Sequence, residues 1–447
     1  MGKVKDNWLS LLCLGVLILI VGVGLMVKFG VERAIAEEIE AKFPDRGVPR
    51  INITLNDVTL EEINAGSKDV KYEGNELSLY EGGEVREFGG VQVKGRGNVT
   101  WMQEKKPYQI KFGSKVDLFG MGKAKKWVLL ANAMDASYLR NDVAFELARM
   151  LEMEYVFDGE FVELYFDGEY EGLYYLTHAV EIGKTTVNLK DPMGVLVELD
   201  NLYWNMEESY LAENGDYLVI KDIVAKEKKM AAMEGFLIEY NKLVEAISQK
   251  DYEEITSIID VESFAKYYLL NEFLVNPDAY WTSFYFYKDG VDDRIHAGPG
   301  WDFDLSLANR RWGNWMGESF YSPTQTMVRK RELLPKEFYD EAGIEGGYRA
   351  SVQISRIMYN LMDVPEFREE VIRVYNSKMS GRMSELIVFF QKKADDIESL
   401  VQYDNKRWGG DGYWNEIEKM VDWIGKRYEF FETEYSGRTE VVDVISD

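Results

Sequence analysis

The sequence predicts an α+β protein of two lobes, a β-rich first half and a helical second half, preceded by one apolar helix. Three observations carry this prediction. Between residues 51 and 201 apolar and polar residues alternate in short runs separated by glycine-containing turns, the period of half-buried strands. From 226 onward apolar residues recur at helical spacing, and the stretch 350–436 is almost wholly helix-like. Residues 8–27, WLSLLCLGVLILIVGVGLMV, contain no charge.

Those twenty residues span roughly 30 Å as a helix, the thickness of a bilayer's hydrocarbon core. They are longer than the h-region of a cleaved signal peptide, although Ala34-Ile35-Ala36 offers a small-residue cleavage site. The expectation is therefore a single-pass membrane anchor: a tail at 1–7, the span at 8–27, a stalk or linker at 28–50, and one domain over 51–447. That domain divides into a β-rich lobe, 51–225, and a helical lobe, 226–447. Lys3 and Lys5 before the span nearly balance Lys28 and Arg33 after it. The short N-terminal end is the simpler one to leave in the cytoplasm, which puts the large domain outside.

Within 51–225 the strands read INITLN, VREFGGVQVKGRGN, PYQIKF, FVELYFDGEYEGLYYLTHAV and GVLVELDN. Asp167-Gly168 is a hairpin turn between two alternating runs. ASYLRNDVAFELARML interrupts them with a helical pattern at Leu139, Val143, Leu147, Met150 and Leu151. In the second half MAAMEGFLIEYNKLVEAIS and VESFAKYYLLNEFLV are long amphipathic stretches. A cleft between two such lobes is where a ligand is expected.

Several chemistries drop out. The single cysteine, Cys13, lies in the apolar span, so the domain has no disulfide, thiol nucleophile or cysteine zinc site. Only His178 and His296 are available to a serine triad, and neither neighbours a G-x-S-x-G turn. A net charge of -26 argues against a phosphate-backbone partner, and no nucleic acid is expected.

The informative region is 262–309. A helix stops at Asn276-Pro277, because proline lacks the N–H and biases its predecessor to extended geometry. Asp278 follows, then a hairpin (WTSFYFYKD, a turn, RIHAGPG), then Trp301-Asp302-Phe303-Asp304. If 301–305 is extended, Asp302 and Asp304 point one way while Trp301, Phe303 and Leu305 point the other. Two carboxylates so placed need a cation between them, whether an arginine, calcium, or a metal that holds phosphate. The EF-hand spacing is absent. Asp278 and Asp302 are 24 residues apart, enough for one hairpin to bring them together. A protein-kinase core has this order, with a loop aspartate that accepts the acceptor's proton and a later aspartate that binds magnesium.

KGRGNVTW, KKPYQIKF, WVLLANAMDASYLRND, EGLYYLTHAVE, LVELD, NPDAYW and GPGWDFDLSLAN occur in the order found in the CotH kinase family, which the chain resembles over roughly 50–436. That family is similar to spore coat protein H, an atypical relative of the protein kinase fold. The resemblance implies transfer of the ATP γ-phosphate, with Mg2+, to serine or threonine of a surface or coat-like protein. It implies Asp302 as the metal aspartate with Asp304 assisting, and Asp278 as the catalytic-loop aspartate. Magnesium takes one or two carboxylates plus phosphate oxygens and waters, which a D-x-D pair suits.

The phosphates also need cations. Lys106 shares strand parity with Tyr108, Ile110 and Phe112 and is the first candidate; Lys111, on the opposite parity, is a second. Arg96 and Asn98, in the Gly95–Asn98 turn, are placed to face phosphate. Asp135 and Arg140 either pair to brace a helix or offer Arg140 to a phosphate. Glu198 and Asp200 share one strand face along the cleft. His178 stands where many family members have a glutamate, so Glu181 is the substitute partner for the lysine. That departure keeps open a catalytically silent surface-binding or adhesion module on the same fold. A glycoside hydrolase with paired carboxylates is the more distant alternative.

Overall fold

The computed structural model describes residues 36–201, 209–309, 322–326 and 355–436, with residues 21, 23, 25–28, 30, 33 and 34. The chain is mixed α+β, with strands dominating its first half and helices its C-terminal half. Most of the predicted span at 8–27 lies outside the described residues. Among the described residues no helix is long and apolar enough to cross a membrane.

Seven strands form a closed barrel: β1 (Arg50–Thr54), β2 (Tyr72–Glu81), β3 (Glu84–Gly95), β4 (Tyr108–Asp117), β5 (Lys123–Leu130), β6 (Gly159–Phe166) and β7 (Glu169–His178). Their order is β1-β2-β3-β4-β5-β7-β6, and the barrel closes by pairing β1 parallel to β6, with Ile51 opposite Leu164. Closure was not foreseen, because that contact joins strands more than a hundred residues apart; it leaves no sheet edge exposed. Alternation produces the interior. Ile51, Ile53, Tyr108, Ile110, Trp127, Leu164, Tyr174 and Leu176 are buried together in one apolar cluster. The Asp167-Gly168 turn forms as expected, both residues taking positive φ, the geometry that matches strand twist.

Helix α1 (Leu60–Ala65) and helix α2 (Arg140–Met150) interrupt the barrel strands. A second sheet contains β8 (Val195–Leu199), β9 (Ser209–Leu211), β10 (Tyr217–Ile223), β11 (Phe284–Lys288) and β12 (His296–Ala297), in the order β12-β11-β8-β10-β9. Strands from both sides of residue 225 therefore share this sheet, with Glu198 of β8 opposite Tyr285 of β11.

Helices α3 (Lys229–Gln249), α4 (Tyr252–Ile258), α5 (Val261–Leu274), α6 (Ile357–Met362), α7 (Pro365–Lys378), α8 (Met383–Trp408) and α9 (Tyr413–Tyr435) complete the fold. Asp260 caps α5 by accepting from the Ser263 amide, and ten residues of this helix are buried, as a helix surrounded by protein requires. The barrel is tied to α8 by a buried ion pair. Lys105 Nζ lies 2.8 Å from Asp404, which also accepts from the Tyr138 hydroxyl (2.6 Å) and the Leu173 amide (2.7 Å).

Candidate active site

Helix α5 ends at Val275 in the left-handed region (φ +49°), just before Pro277. The Asn276 side chain then accepts from the Asp278 amide (3.2 Å) and donates to the Asp302 carbonyl (3.3 Å). One amide side chain thus holds the two acidic loops together. The loop after β12 is not extended. Asp302 has φ +67°, so the D-x-D pair gains its placement from a left-handed loop residue, not from strand alternation. Trp301, Phe303 and Leu305 are nevertheless buried behind it.

The loop is held from several sides. Phe303 N–H donates to Asn141 (3.1 Å), Leu307 N–H to the Leu274 carbonyl (2.8 Å), and Asn309 to the Met134 carbonyl (2.8 Å). The Ser283 hydroxyl donates to Asp302 (3.1 Å), and its amide donates to Glu198 (3.2 Å). Glu198 in turn pairs with Lys221 at 2.7 Å. Lys221 sits where the β8–β10 register shifts, between Ile220 and Asp222, and such a bulge re-aims one side chain.

Charges converge here. Burial, then the charges of Asp302 and Asp304, push the Asp278 carboxyl well above its usual range. Burial also raises Asp302, opposed by Arg96 and the Ser283 hydrogen bond. Asp304 is pushed up to about 8 by burial and then by Asp302 and Asp135, opposed by Arg140 and Arg96. Burial lowers the pKa of the Arg96 guanidinium against the pull of Asp302, Tyr285 and Asp304; its centre lies 5.5 Å from the Trp301 ring. Burial opposes the charge of Lys221, but Glu198 and then Asp200 raise its pKa above the ordinary value.

Arg96, Asp278, Asp302 and Asp304 are therefore brought together. Arg96 reaches them from the β3–β4 turn, where Gly97 (φ +75°) has no room for a side chain: a Cβ would lie 1.9 Å from the Thr100 hydroxyl. Other sequence candidates are placed elsewhere. Lys106 precedes β4 instead of belonging to it, and its ammonium donates to the carbonyls of Trp101 (2.7 Å) and Gln103 (3.1 Å). Lys111 alternates with the interior residues Ile110 and Phe112 and so faces out from the barrel. Asn98 is exposed, and its carbonyl accepts from Trp101 in the same turn. Arg140 is fully buried beside Asp304; it pairs with Asp135 and Glu416 and donates to the Ser306 carbonyl at 2.8 Å, which is the bracing role. Glu181 pairs with Lys126 at 2.6 Å, not with Lys106. His178 stacks on Trp127 at 4.4 Å in the barrel, and burial lowers its pKa.

Two residues of the site escaped the sequence reading. Lys221 looked like one polar position in an alternating strand, although the paired LVELD and YLVIKD runs hinted at a cross-strand ion pair. Asn276 read only as the residue before a proline.

Among the described residues no group of three or more His, Cys, Asp or Glu is drawn to metal-ligating spacing. The donor set still fits a nucleotide-bound magnesium ion, which needs one or two protein carboxylates. Asp302 and Asp304 repel each other, and a divalent cation relieves that repulsion. A separate cleft of 310 Å³, lined by Tyr155, Lys266, Tyr287 and His296 among others, contains none of these acidic residues.

The sequence matches no curated protein. It does match the family model described as CotH kinase protein, over residues 93–431, which takes in the barrel from the end of β3 onward, the acidic centre and most of the helical half. The chain belongs to the CotH kinase family.

Proposed function

We propose that this protein is an atypical kinase that transfers the γ-phosphoryl group of magnesium–ATP to a serine or threonine hydroxyl of another protein. The observation that carries the reading is the meeting of Asp278 with Asp302 and Asp304 across the β11–β12 hairpin, flanked by Arg96 and by the Lys221–Glu198 pair. Asp302 and Asp304 would hold the metal, and Arg96 and Lys221 would face the phosphates. Bound there, magnesium would neutralise charge on the transferring phosphoryl group. Asp278 takes the proton of the acceptor hydroxyl as its oxygen bonds to phosphorus and the bond to the ADP oxygen breaks. A carboxyl held above its usual range by burial and like charges suits a general base near neutral pH.

The silent-module alternative rested on His178 and on the balanced topology. The His178 ring lies in the barrel stack with Trp127, so its identity leaves the acidic centre intact. Asp278→Asn tests the assignment: it keeps the side chain's size and loses the charge. Mg–ATP affinity should persist, while phosphate incorporation into a Ser/Thr substrate falls by about 10²–10⁴. Equal transfer by the variant and the wild type would remove Asp278 from the mechanism.

A further inference from the structure

Arg427 of α9 is fully buried, and its guanidinium binds two separate stretches of backbone. Nε donates to the Phe273 carbonyl (3.3 Å), and Nη2 donates to the Glu272 carbonyl and carboxylate (2.7 Å to the latter). Nη1 donates to the carbonyls of Pro323 (2.9 Å) and Gln325 (2.7 Å). The first set lies in the last turn of α5, where the Glu272 carbonyl also accepts from the Val275 amide. That turn launches Asn276 and Asp278. The second set lies downstream of the acidic loop. Phe431, one turn along α9, stacks beneath the guanidinium at 4.7 Å and packs on Phe273 at 5.1 Å.

A planar fork spreads five donors over three nitrogens and so reaches carbonyls further apart than the three donors on one ammonium nitrogen. The bonds to Pro323 and Gln325 go to carbonyls, so the clamp sets the position of residues 322–326 without reading their side chains. The metal side of the site has its own ties, Asn141 to Phe303 and Arg140 to Ser306. The end of α5 is capped from α9 by Arg427.

We propose that Arg427 is a positioning residue for phosphoryl transfer, registering segment 322–326 against the end of α5 and thereby fixing Asp278 toward the acceptor. This rests on the kinase reading above. The consequence is a split: loosening the clamp disturbs the acceptor step and spares nucleotide binding.

Arg427→Lys in the full chain tests it. Mg–ATP affinity should stay within about threefold of wild type, while transfer per folded molecule drops at least about tenfold. Amide exchange should quicken together at 322–326 and at Asp278, Trp281 and Thr282, whose amides bond within the catalytic loop. Unchanged transfer per folded molecule, or faster exchange confined to 322–326, overturns the proposal. Should Arg427→Lys fail to fold, Phe431→Leu removes the supporting ring and none of the donors. It should show the same split at a few-fold scale, and unaltered exchange at 278–282 in that variant overturns the proposal equally. If the wild type transfers no phosphate, the kinase reading fails, and the paired exchange result still decides whether the clamp reaches the catalytic loop.

Discussion

Inside the barrel, Ile110, Trp127, Leu164 and Tyr174 meet on strands whose side chains simply alternate, and every one is fully buried. In the acidic centre, Asp278, Asp302 and Asp304 meet in loops; Asp302 and Asp304 raise the pKa of Asp278, and Asp302 raises that of Asp304. Val275, Ser283, Asp302, Leu307 and Ala308 all hold positive φ around that centre. A non-glycine residue held there opposes folding by about 1–3 kcal/mol. Burial of one barrel side chain such as Ile110 contributes about 1.5–3 kcal/mol in the other direction. The barrel is thus built for stability, and the loops hold strain and like charge that only their surroundings sustain. Such a concentration is the expected signature of a site of chemistry.

The comparison breaks most visibly at a buried charge outside the centre. Lys105→Met leaves Asp404 buried without its cation and should destabilise the fold by about 3–5 kcal/mol. Transfer per folded molecule should be unaltered. Denaturant unfolding beside an activity assay checks both, and a selective loss of transfer would make Lys105 part of the chemistry.

Smaller in free energy is the contrast between two lysines. Lys221→Met should weaken Mg–ATP binding by roughly tenfold, about 1.4 kcal/mol, because it removes a cation beside Glu198 and Asp302. Lys106→Met removes an ammonium that caps the 101–103 turn and should leave affinity within about twofold. The opposite ranking would restore Lys106 as the phosphate lysine.

The smallest effect belongs to His178. Burial lowers its folded pKa below the unfolded value, so its contribution to stability is present above pH 6.5 and is lost as pH falls. The slope from one such group is at most about 1.4 kcal/mol per pH unit. His178→Phe should flatten the stability profile just below pH 6.5; an unchanged slope would mean the ring is already protonated in the fold.

These contrasts explain what was legible. The halves, the β6–β7 turn and the end of α5 follow from local rules of period, turn chemistry and proline. Asp278, Asp302, Asp304 and Arg96 were readable because they lie in short, glycine- or proline-marked loops of a recognisable order. Barrel closure was not, since the parallel β1–β6 pairing leaves no local trace. Lys106 was misplaced because parity was extended two residues before β4 begins at Tyr108. Lys221 was missed because a bulge, invisible in YLVIKDI, turns it toward Glu198. The D-x-D pair was expected on a strand, whereas Asp302 takes a left-handed loop conformation.

The central claim is that the crowded carboxylates await a metal-bound nucleotide. Calorimetric titration of ATP, with and without magnesium, into wild type and Asp302→Asn tests it most directly. Wild type should bind only when magnesium is present, and Asp302→Asn should bind at least about tenfold more weakly. Equal Mg–ATP affinity in the two proteins would contradict the account.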